Sequence, residues 1–303
     1  MRAYVGITDW EWFQLLSQID AVEDVNFWQP GGTRLFRALD AGELFLFKLH
    51  SPRNYIVGGG VFAHATLLPT SLAWEAFGSA NGALSLEQMR VRVTHYRRQV
   101  EHPFADYTIG CILLEEPFFL PEASWVPTPA DWSPSIQQGR RYDLTSGVGL
   151  ALWRSLEVAL GKPLLGKEPS HRYGKPVLTL PRLGQGSFRV MVTDAYERRC
   201  AITSERTLPA LDAAHIKPYS KSGEHSVENG LLLRRDLHAL FDQGYVTITP
   251  RFEVEVSRRI REEYENGRDY YRFHGTAIRL PDNPAYRPSV QYLDWHNRQA
   301  FRG

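Results

Sequence analysis

The sequence has little cysteine and no apolar run long enough to span a bilayer. The two cysteines, Cys111 and Cys200, do not form a Cys-x-x-Cys pair, which excludes a four-cysteine zinc site, and both are expected in the core. A membrane helix needs about 20 consecutive apolar residues, so no membrane partner is expected. The first residues, MRAYVGITDWEWF, lack the basic start and apolar middle of a secretory signal, which predicts a cytoplasmic location.

An excess of positive charge is also absent, since the net charge is +1. The distribution is nevertheless uneven. Residues 1–138 have 9 basic and 15 acidic side chains, residues 139–185 have 8 and 3, and residues 186–303 have 18 and 16. A basic segment can follow a phosphate backbone while the whole chain stays nearly neutral. The middle segment therefore indicates either a DNA-contacting arm or a solvated linker, and charge alone does not decide between them.

The first 138 residues have the pattern of a mixed sheet with helices. The runs GELFLFKL, NYIVGGGVFA and DYTIGCILLEEPFFL are rich in β-branched and aromatic residues and predict strands. The segment LSLEQMRVRVTHYRRQV predicts a helix, with Ser85 as N-cap and Gln88 three residues on. Strands with interspersed helices and many turns predict a small, curved or barrel-like sheet.

The remaining sequence divides into a middle segment and a C-terminal domain. Residues 139–185 contain one helix, SGVGLALWRSLEVALG, ending at Gly161, followed by a Pro- and Gly-rich stretch that predicts a linker. Residues 186–303 predict a helix, two short strands around a polar loop, a helix (RRDLHALFDQG) and two further strands. The fold class predicted for the whole chain is α+β.

Three polar residues in the C-terminal domain stand at characteristic places. His215 ends the first short strand, Asn229 precedes the second, and His238 lies on the following helix. The flanking segments are CAITSE, AHIKP, NGLLL and HALFDQGYVTI. In order and surroundings this pattern resembles the restriction-type HNH (ββα-metal) endonucleases. The resemblance implies a ββα-metal fold and metal-dependent cleavage of DNA.

The chemistry of DNA cleavage suits these residue types. A neutral imidazole at His215 can accept a proton from water near pH 7. One Mg²⁺ (or Mn²⁺) ion can relieve charge on the phosphate and on the leaving oxygen. The resemblance implies that His238 is a metal ligand, and that Asn229 holds the two strands and their loop together and so orients the base.

The acidic metal ligand departs from one common form of the motif. Many HNH enzymes have Asp or His directly before the base, where this chain has Ala214. The nearest acid is Asp212, which we prefer; Asp242, one helical turn after His238, is the other candidate. The structural alternatives are that Asp212 caps a turn and Asp242 fixes the helix end. Restriction-type relatives share the Ala-Ala-His sequence, so an active enzyme is still implied. His225, in the loop, is expected to be exposed and not catalytic.

Six of the eight tryptophans precede residue 138. The segments FWQPGG, LFLFKLHSPRNYIVGGGVF, LAWEAFGSANG and IGCILLEEPFF resemble the EVE-type branch of the PUA superfamily, as fused to HNH nucleases in modification-dependent (type IV) restriction enzymes. The resemblance implies an aromatic pocket for a modified base, here a modified cytosine. The candidate pocket residues are Trp28, Tyr55, Phe62, Trp74, Asn54 and Asn81, with close backbone approach at Gly58 to Gly60. The alternative for each aromatic is a place in the core.

The predicted partner is double-stranded DNA carrying modified bases. Flipping out a nucleotide costs a few kcal/mol, and stacking on aromatic side chains returns about 1–3 kcal/mol. A single HNH site implies that cutting both strands needs a homodimer or two encounters. The alternatives are an HNH nuclease directed by phosphorothioate or by plain sequence, and a non-cleaving nucleic-acid-binding module. The candidate contacts to the DNA backbone are Arg140, Arg141, Lys167, Arg182, Arg189, Arg234 and Arg235.

Overall fold

The computed structural model describes residues 1–97, 106–161 and 183–303. It divides the chain into two units, Met1–Leu183 and Gly184–Gly303. No helix in the described part of the chain has both the length and the apolar composition needed to cross a bilayer.

The first unit is built on one mixed sheet. Its strands are β1 (Arg2–Thr8), β2 (Asp24–Gln29), β3 (Leu44–Leu49), β4 (Tyr55–Pro69), β5 (Thr108–Phe119), β6 (Val126–Pro127) and β7 (Gly139–Asp143). Its helices are α1 (Trp10–Leu16), α2 (Thr70–Phe77), α3 (Leu86–Arg97) and α4 (Gly147–Leu160). The strand order is β2-β5-β4-β3-β1-β7, with β6 paired to β4. Only β1 and β3 run parallel among these pairs.

The sheet is irregular, but within residues 1–97 and 106–161 it does not close into the expected barrel. The register between β4 and β5 shifts twice, between Gly59 and Val61 and between Phe62 and His64. Such irregularities bend a strand and increase its twist. The sheet ends at β2 on one side and at β7 on the other, and these two strands do not pair with each other. It is therefore an open sheet, which corrects the barrel expectation.

Strand alternation gives the sheet two buried faces. On β3, Phe45 and Phe47 belong to one apolar cluster, together with Trp12 and Phe27. The intervening Leu46 belongs to a second cluster on the other face. Because successive side chains of a strand point to opposite faces, a sheet covered on both sides reads as a nearly continuous apolar run. This explains the uninterrupted LFLF sequence.

Residues 139–161 belong to the first unit and not to a separate linker. Strand β7 pairs antiparallel with β1 along its whole length. Helix α4 places Leu152 and Leu156 in the second apolar cluster. The helix ends as predicted, at Gly161 with φ of 63°, a left-handed conformation that glycine adopts at little cost. The basic linker predicted for 139–185 is therefore corrected over 139–161, and residues 162–182 lie outside the described residues.

The glycine run in β4 serves close packing between strands. A Cβ atom on Gly58 would lie 2.3 Å from the carbonyl oxygen of Phe118, and one on Gly59 would lie 2.7 Å from that of Phe45. Both oxygens belong to neighbouring strands of the same sheet. These glycines therefore allow close approach between neighbouring strands, whereas the sequence had suggested close approach to a base.

The second unit contains the predicted strand–loop–strand–helix order. Its elements are α5 (Gln185–Ala195), β8 (Leu211–His215), β9 (Gly230–Arg234), α6 (Arg235–Asp242), β10 (Val246–Ile248), β11 (Val254–Val256), α7 (Arg259–Tyr264), α8 (Arg268–Tyr271) and α9 (Val290–Gln299). Strands β8 and β9 form an antiparallel pair in which His215 lies opposite Gly230. Helices α5 and α6 both pack against this pair.

Candidate functional site

A cavity of about 420 Å³ lies in the second unit where helices α5, α6 and α9 meet strand β8. It is within the range of about 300–1,000 Å³ that is usual for binding sites. Two of the three motif residues, His215 and His238, line it. The polar and aromatic side chains around them are Gln185, Arg189, Asp212, Asp242, Phe188, Tyr219, Trp295 and His296.

His215 is held at the end of β8 with its ring against an aromatic face. The imidazole stacks on Phe188, with ring centroids 3.9 Å apart and an interplanar angle of 13°. Burial lowers the pKa of His215 to about 4, and repulsion from His225 and His238 contributes in the same direction. The ring is therefore neutral at pH 7, the protonation state in which it can accept a proton.

Asn229 is fully buried and fastens the loop that follows His215. Its Oδ1 accepts from the backbone N–H of Lys217 at 2.9 Å, and its Nδ2 donates to the carbonyl oxygens of Lys217 and Glu224, each at 2.9 Å. These three bonds satisfy a side chain that would be costly to bury without partners. The amide joins the two ends of the loop, as the resemblance implied. That it thereby orients the base stays a prediction.

His238 lies between the two acids that were the candidate metal ligands. Its Nδ1 is 3.2 Å from Oδ2 of Asp212, and its Nε2 is 3.3 Å from Oδ2 of Asp242. Oδ1 of Asp212 is in turn 3.2 Å from Nη2 of Arg189. The structure thus brings both acids to the same histidine, one on each side of its ring.

Charges in this cluster oppose the effect of burial. Burial raises the pKa of Asp212, but the hydrogen bond with His238 and the charge of Arg189 outweigh it, and the net pKa lies below its ordinary value. Burial lowers the pKa of His238, yet the two acids bring it above its ordinary value. For Asp242, burial dominates and raises the pKa. Asp212 is therefore the more firmly ionised of the two carboxylates.

The donor set of this cluster suits a hard divalent ion. Mg²⁺ and Mn²⁺ prefer carboxylate oxygens, and imidazole nitrogen is an acceptable further ligand. Within the described ranges, no group of three or more His, Cys, Asp or Glu side chains is already arranged to hold a metal ion. Mg²⁺ commonly takes one or two protein ligands and completes its shell with water and phosphate. Asp212 and His238 fit such a site as a pair, with Asp242 as the other carboxylate.

The candidate DNA-backbone residues differ in their surroundings. Arg234 forms two hydrogen bonds to Asp236, at 2.6 and 2.7 Å, and Arg140 pairs with Asp131 at 2.8 Å. Arg235 and Arg141 are exposed. Arg189 lines the cavity and pairs with Asp212, as described above. Lys167 and Arg182 lie outside the described residues.

Sequence reasoning missed one close neighbour of His215. His225 was expected to be exposed, but it is only half-exposed, and its Nδ1 lies 2.9 Å from Nε2 of His215. The ring of Tyr219 stacks on that of His225, with ring centroids 4.7 Å apart. The nine residues between the two histidines are a loop whose path follows from tertiary hydrogen bonds, so periodicity offered no signal for this contact.

A second cavity, of about 310 Å³, lies within the first unit. Aromatic side chains from three elements contribute to its wall: Trp12 of α1, Trp28 of β2 and Tyr96 of α3. Its polar lining includes Asp9, Gln29, Thr33, Arg34, Gln137 and Gln138. An aromatic wall with a few polar groups is the usual composition of a small-molecule or base site.

Of the six predicted pocket residues, only Trp28 lines this cavity. Phe62 is buried in the apolar core. Asn81 is fully buried, and it donates to the carbonyl oxygens of Ala73 and Gly78 while its own oxygen accepts from Asn26.

The other three lie elsewhere in the first unit. Oδ1 of Asn54 accepts a hydrogen bond from the buried Lys48. Tyr55 packs against Trp125, with ring centroids 5.9 Å apart. Trp74, on α2, is half-buried and does not line the cavity. The six side chains are therefore not brought together, and the cavity is formed by a different set around Trp28.

The polar side of this cavity is fixed by one ion pair. Asp9 caps α1 by accepting from the backbone N–H of Trp12 at 2.7 Å. Both of its carboxylate oxygens also accept from Nη2 of Arg92, at 2.7 and 2.6 Å. The hydroxyl of Tyr96 is 3.4 Å from the same carboxylate. These contacts tie α1 to α3 and hold the cavity wall in place.

The sequence of the second unit has a known counterpart. Residues 200–249 match the family described as HNH endonuclease, and the match covers β8, β9, α6 and β10. The unit therefore carries an HNH endonuclease domain, and the protein is a DNA endonuclease. No curated protein sequence matches the chain at a significant level.

Two solved structures are similar to this chain over much of its length. One is the modification-dependent TagI restriction endonuclease, at 14% identity and a TM-score of 0.31, covering 94% of this chain and 78% of that one. The other is the type IV phosphorothioation-dependent restriction endonuclease ScoMcrA, at 12% identity and a TM-score of 0.21. That comparison covers 78% of this chain and 45% of the other, so this chain spans less than half its length.

Proposed function

We propose that this protein is a modification-dependent restriction endonuclease, in which the first unit binds a modified cytosine flipped out of DNA and the second unit hydrolyses a phosphodiester bond. The observation that carries the proposal is that His215 and His238 line one cavity, beside a loop held by Asn229, within a matched HNH endonuclease domain. The aromatic cavity of the first unit supports the modification-dependent part.

In the cleavage step, His215 acts as the general base. As the oxygen of a water molecule bonds to phosphorus, the water's proton moves to the imidazole, and the bond from phosphorus to the 3′ oxygen breaks. The leaving oxygen takes a proton from solvent. The low pKa of His215 keeps its lone pair available, and an anionic phosphate in the cavity raises that pKa because opposite charge favours the imidazolium. A base becomes stronger in this way only when its substrate is present.

One divalent ion, Mg²⁺ or Mn²⁺, fits beside the base. Asp212 and His238 would hold it, and it would supply charge relief to the phosphate and to the leaving oxygen. Arg189, which now pairs with Asp212, is placed to donate to a phosphate oxygen when DNA and the ion occupy the cavity. Asn229 acts indirectly, because it holds the loop that sets the position of His215.

In the reading step, the flipped base occupies the cavity of the first unit. Trp28 and Tyr96 provide aromatic surfaces for stacking, and Gln29 and Gln137 provide amide groups that can pair with a base edge. Bulk affinity comes from arginines that contact phosphates, including the exposed Arg141. The first 138 residues are acidic, so this unit contributes selectivity more than affinity.

Two alternatives remain as outcomes of the test. The same nuclease directed by plain sequence would cut DNA without regard to cytosine modification, and one directed by a phosphorothioate would cut only DNA that carries that group. A non-cleaving binding module would retain DNA affinity without hydrolysis. Two copies of the chain on one site would allow both strands to be cut, because each copy has one HNH site.

The test is cleavage of otherwise identical duplexes carrying cytosine, 5-methylcytosine or 5-hydroxymethylcytosine, in Mg²⁺ and in chelator. We expect cleavage in Mg²⁺ and none in chelator, with a preference for at least one modified duplex. Equal cutting of all three would remove the modification-dependent part and leave the nuclease. Binding without cutting in either Mg²⁺ or Mn²⁺, both for these duplexes and for a duplex carrying phosphorothioates, would contradict the nuclease part.

A further inference from the structure

The loop between β8 and β9 carries a histidine that the cleavage step above does not use. His225 has its Nδ1 2.9 Å from Nε2 of His215, and both side chains are half-buried. A neutral imidazole has one N–H and one lone pair, so a contact at this distance requires one ring to donate and the other to accept. The direction of donation decides which nitrogen of His215 can serve as the base.

Only one direction is compatible with the base role. If His225 donated, Nε2 of His215 would be an occupied acceptor and its Nδ1 would carry the proton, so neither nitrogen could accept from water. If Nε2–H of His215 donates to Nδ1 of His225, the Nδ1 lone pair of His215 is left to accept. In that direction His225 also stabilises the imidazolium that forms, because its lone pair keeps accepting the Nε2–H.

We propose that His225 is a positioning residue that accepts the Nε2–H of His215 and thereby fixes the ring orientation and the tautomer in which Nδ1 is the base. This inference rests on the proposed role of His215. It assigns a specific function to a loop residue outside the His–Asn–His pattern.

The surroundings of His225 are built to keep this contact. Tyr219 stacks on its ring with an interplanar angle of 12°, and Phe188 stacks on the ring of His215. Asn229 bonds to Lys217, two residues after His215, and to Glu224, directly before His225. The same amide therefore fastens the chain next to both histidines, and it sets their separation.

The experiment compares two substitutions at one position. His225→Phe keeps an aromatic ring for stacking but has no acceptor, whereas His225→Asn places an amide oxygen close to where Nδ1 stood. We expect His225→Phe to lower the single-turnover cleavage rate at saturating DNA by about 10- to 100-fold, the usual effect of losing a partner that fixes an imidazole. DNA affinity should change less than twofold, and His225→Asn should recover most of the rate. The exposed His274, outside the cavity, provides a control in His274→Ala.

A second readout does not depend on cleavage. Long-range ¹H–¹⁵N correlation spectra of the metal-free protein should show His215 protonated at Nε2 and His225 unprotonated at Nδ1. A His215 ring protonated at Nδ1 would overturn the inference. Wild-type rates in both His225 variants, with His215→Ala inactive, would overturn it and leave the proposed function intact. An active His215→Ala protein would instead contradict the proposed function itself.

Discussion

The two units of this protein build their cavities in opposite ways. In the second unit, the proposed base, the residue that orients it and the proposed metal ligands all lie between residues 212 and 242, on one strand pair, its loop and the following helix. In the first unit, the cavity wall is assembled from Thr8, Trp28, His50, Tyr96 and Gln138, which come together only because distant strands and helices pack. A local motif can be found in one sequence, whereas a cavity of non-local residues depends on the fold.

This difference matches the two chemical tasks. Hydrolysis of a phosphodiester needs a base, a metal ligand and an orienting group at fixed separations, and a short hairpin with a helix provides these with few residues. Reading a base needs a shaped aromatic surface, which many sequences can provide on one scaffold. The comparison implies that substitutions in the second unit affect rate and those in the first affect selectivity.

The largest effect is expected at the base. His215→Ala should lower the cleavage rate by about 10²- to 10⁴-fold, which is the usual contribution of a general base. DNA affinity should stay within a few-fold of the wild type, because His215 activates water and does not hold the substrate. Rates are measured in single turnover, with His274→Ala as the matched control. Equal losses of cleavage and affinity, with the fold unchanged, would show that His215 serves binding.

The metal ligands should rank next. His238→Ala and Asp212→Ala should each raise the Mg²⁺ concentration for half-maximal cleavage at least about tenfold. Even residues that only hydrogen-bond to a metal ligand usually change metal affinity by about 10- to 100-fold when they are replaced. Asp242→Ala should have the smaller effect, because burial raises the pKa of Asp242 and makes it the less firmly ionised carboxylate. Magnesium titrations of the three variants decide the order. A larger effect from Asp242 would exchange the roles of the two acids, and no effect from either would contradict this description of the site.

Selectivity should respond to the cavity of the first unit. Tyr96→Ala should lower the preference for modified over unmodified DNA by about 5- to 150-fold, the equivalent of about 1–3 kcal/mol of base stacking. Trp28→Phe should have a smaller effect of the same kind, and it avoids emptying a buried site. Trp74→Ala is the control, because Trp74 lies outside the cavity. Competition binding with the two DNAs measures the ratio, and a loss shared equally by both DNAs would place the reading site elsewhere.

The smallest effect concerns backbone contacts. Replacing the exposed Arg141 or Arg235 with glutamine should flatten the slope of log affinity against log salt by up to about 0.9 for each phosphate contact removed. The change should be the same for modified and unmodified DNA. Arg140, which pairs with Asp131, should show less of it. Salt titrations on both DNAs provide the slopes, and an arginine whose loss alters the preference would belong to the reading site.

Prediction from sequence succeeded where the determinants are local. The order of β8, β9 and α6 follows from short apolar strands and a helical repeat. Helix α4 ends at Gly161 because glycine adopts the left-handed backbone conformation of the helix end at little cost. The resemblance to HNH endonucleases implied that Asn229 holds the loop, and its amide does bond to Lys217; its orienting effect on the base stays a prediction. The contact between His215 and His225 was not predicted, because it depends on the path of the loop that the Asn229 amide holds.

The aromatic cavity could not be predicted residue by residue, because its wall is formed by residues that are distant in the sequence. Aromatic content identified a unit rich in tryptophan but did not determine which rings face a cavity. Phe62 is buried in the apolar core and does not line the cavity. Tyr96 and Gln138 reach the cavity through helix and strand packing that no local pattern encodes. Similarly, the pairing of β7 with β1 joined residues 139–143 to the sheet, although their charge suggested an arm or linker.

The division of labour between the two units is tested most directly by the ratio of dissociation constants of the His215→Ala protein for duplexes with and without the modified cytosine. This variant should cut DNA too slowly to disturb a titration, so binding can be measured in the presence of Mg²⁺. We expect the variant to show the same preference for modified DNA as the wild-type protein shows in chelator. Loss of the preference in the His215→Ala protein would contradict this division of labour, because reading would then depend on the nuclease site.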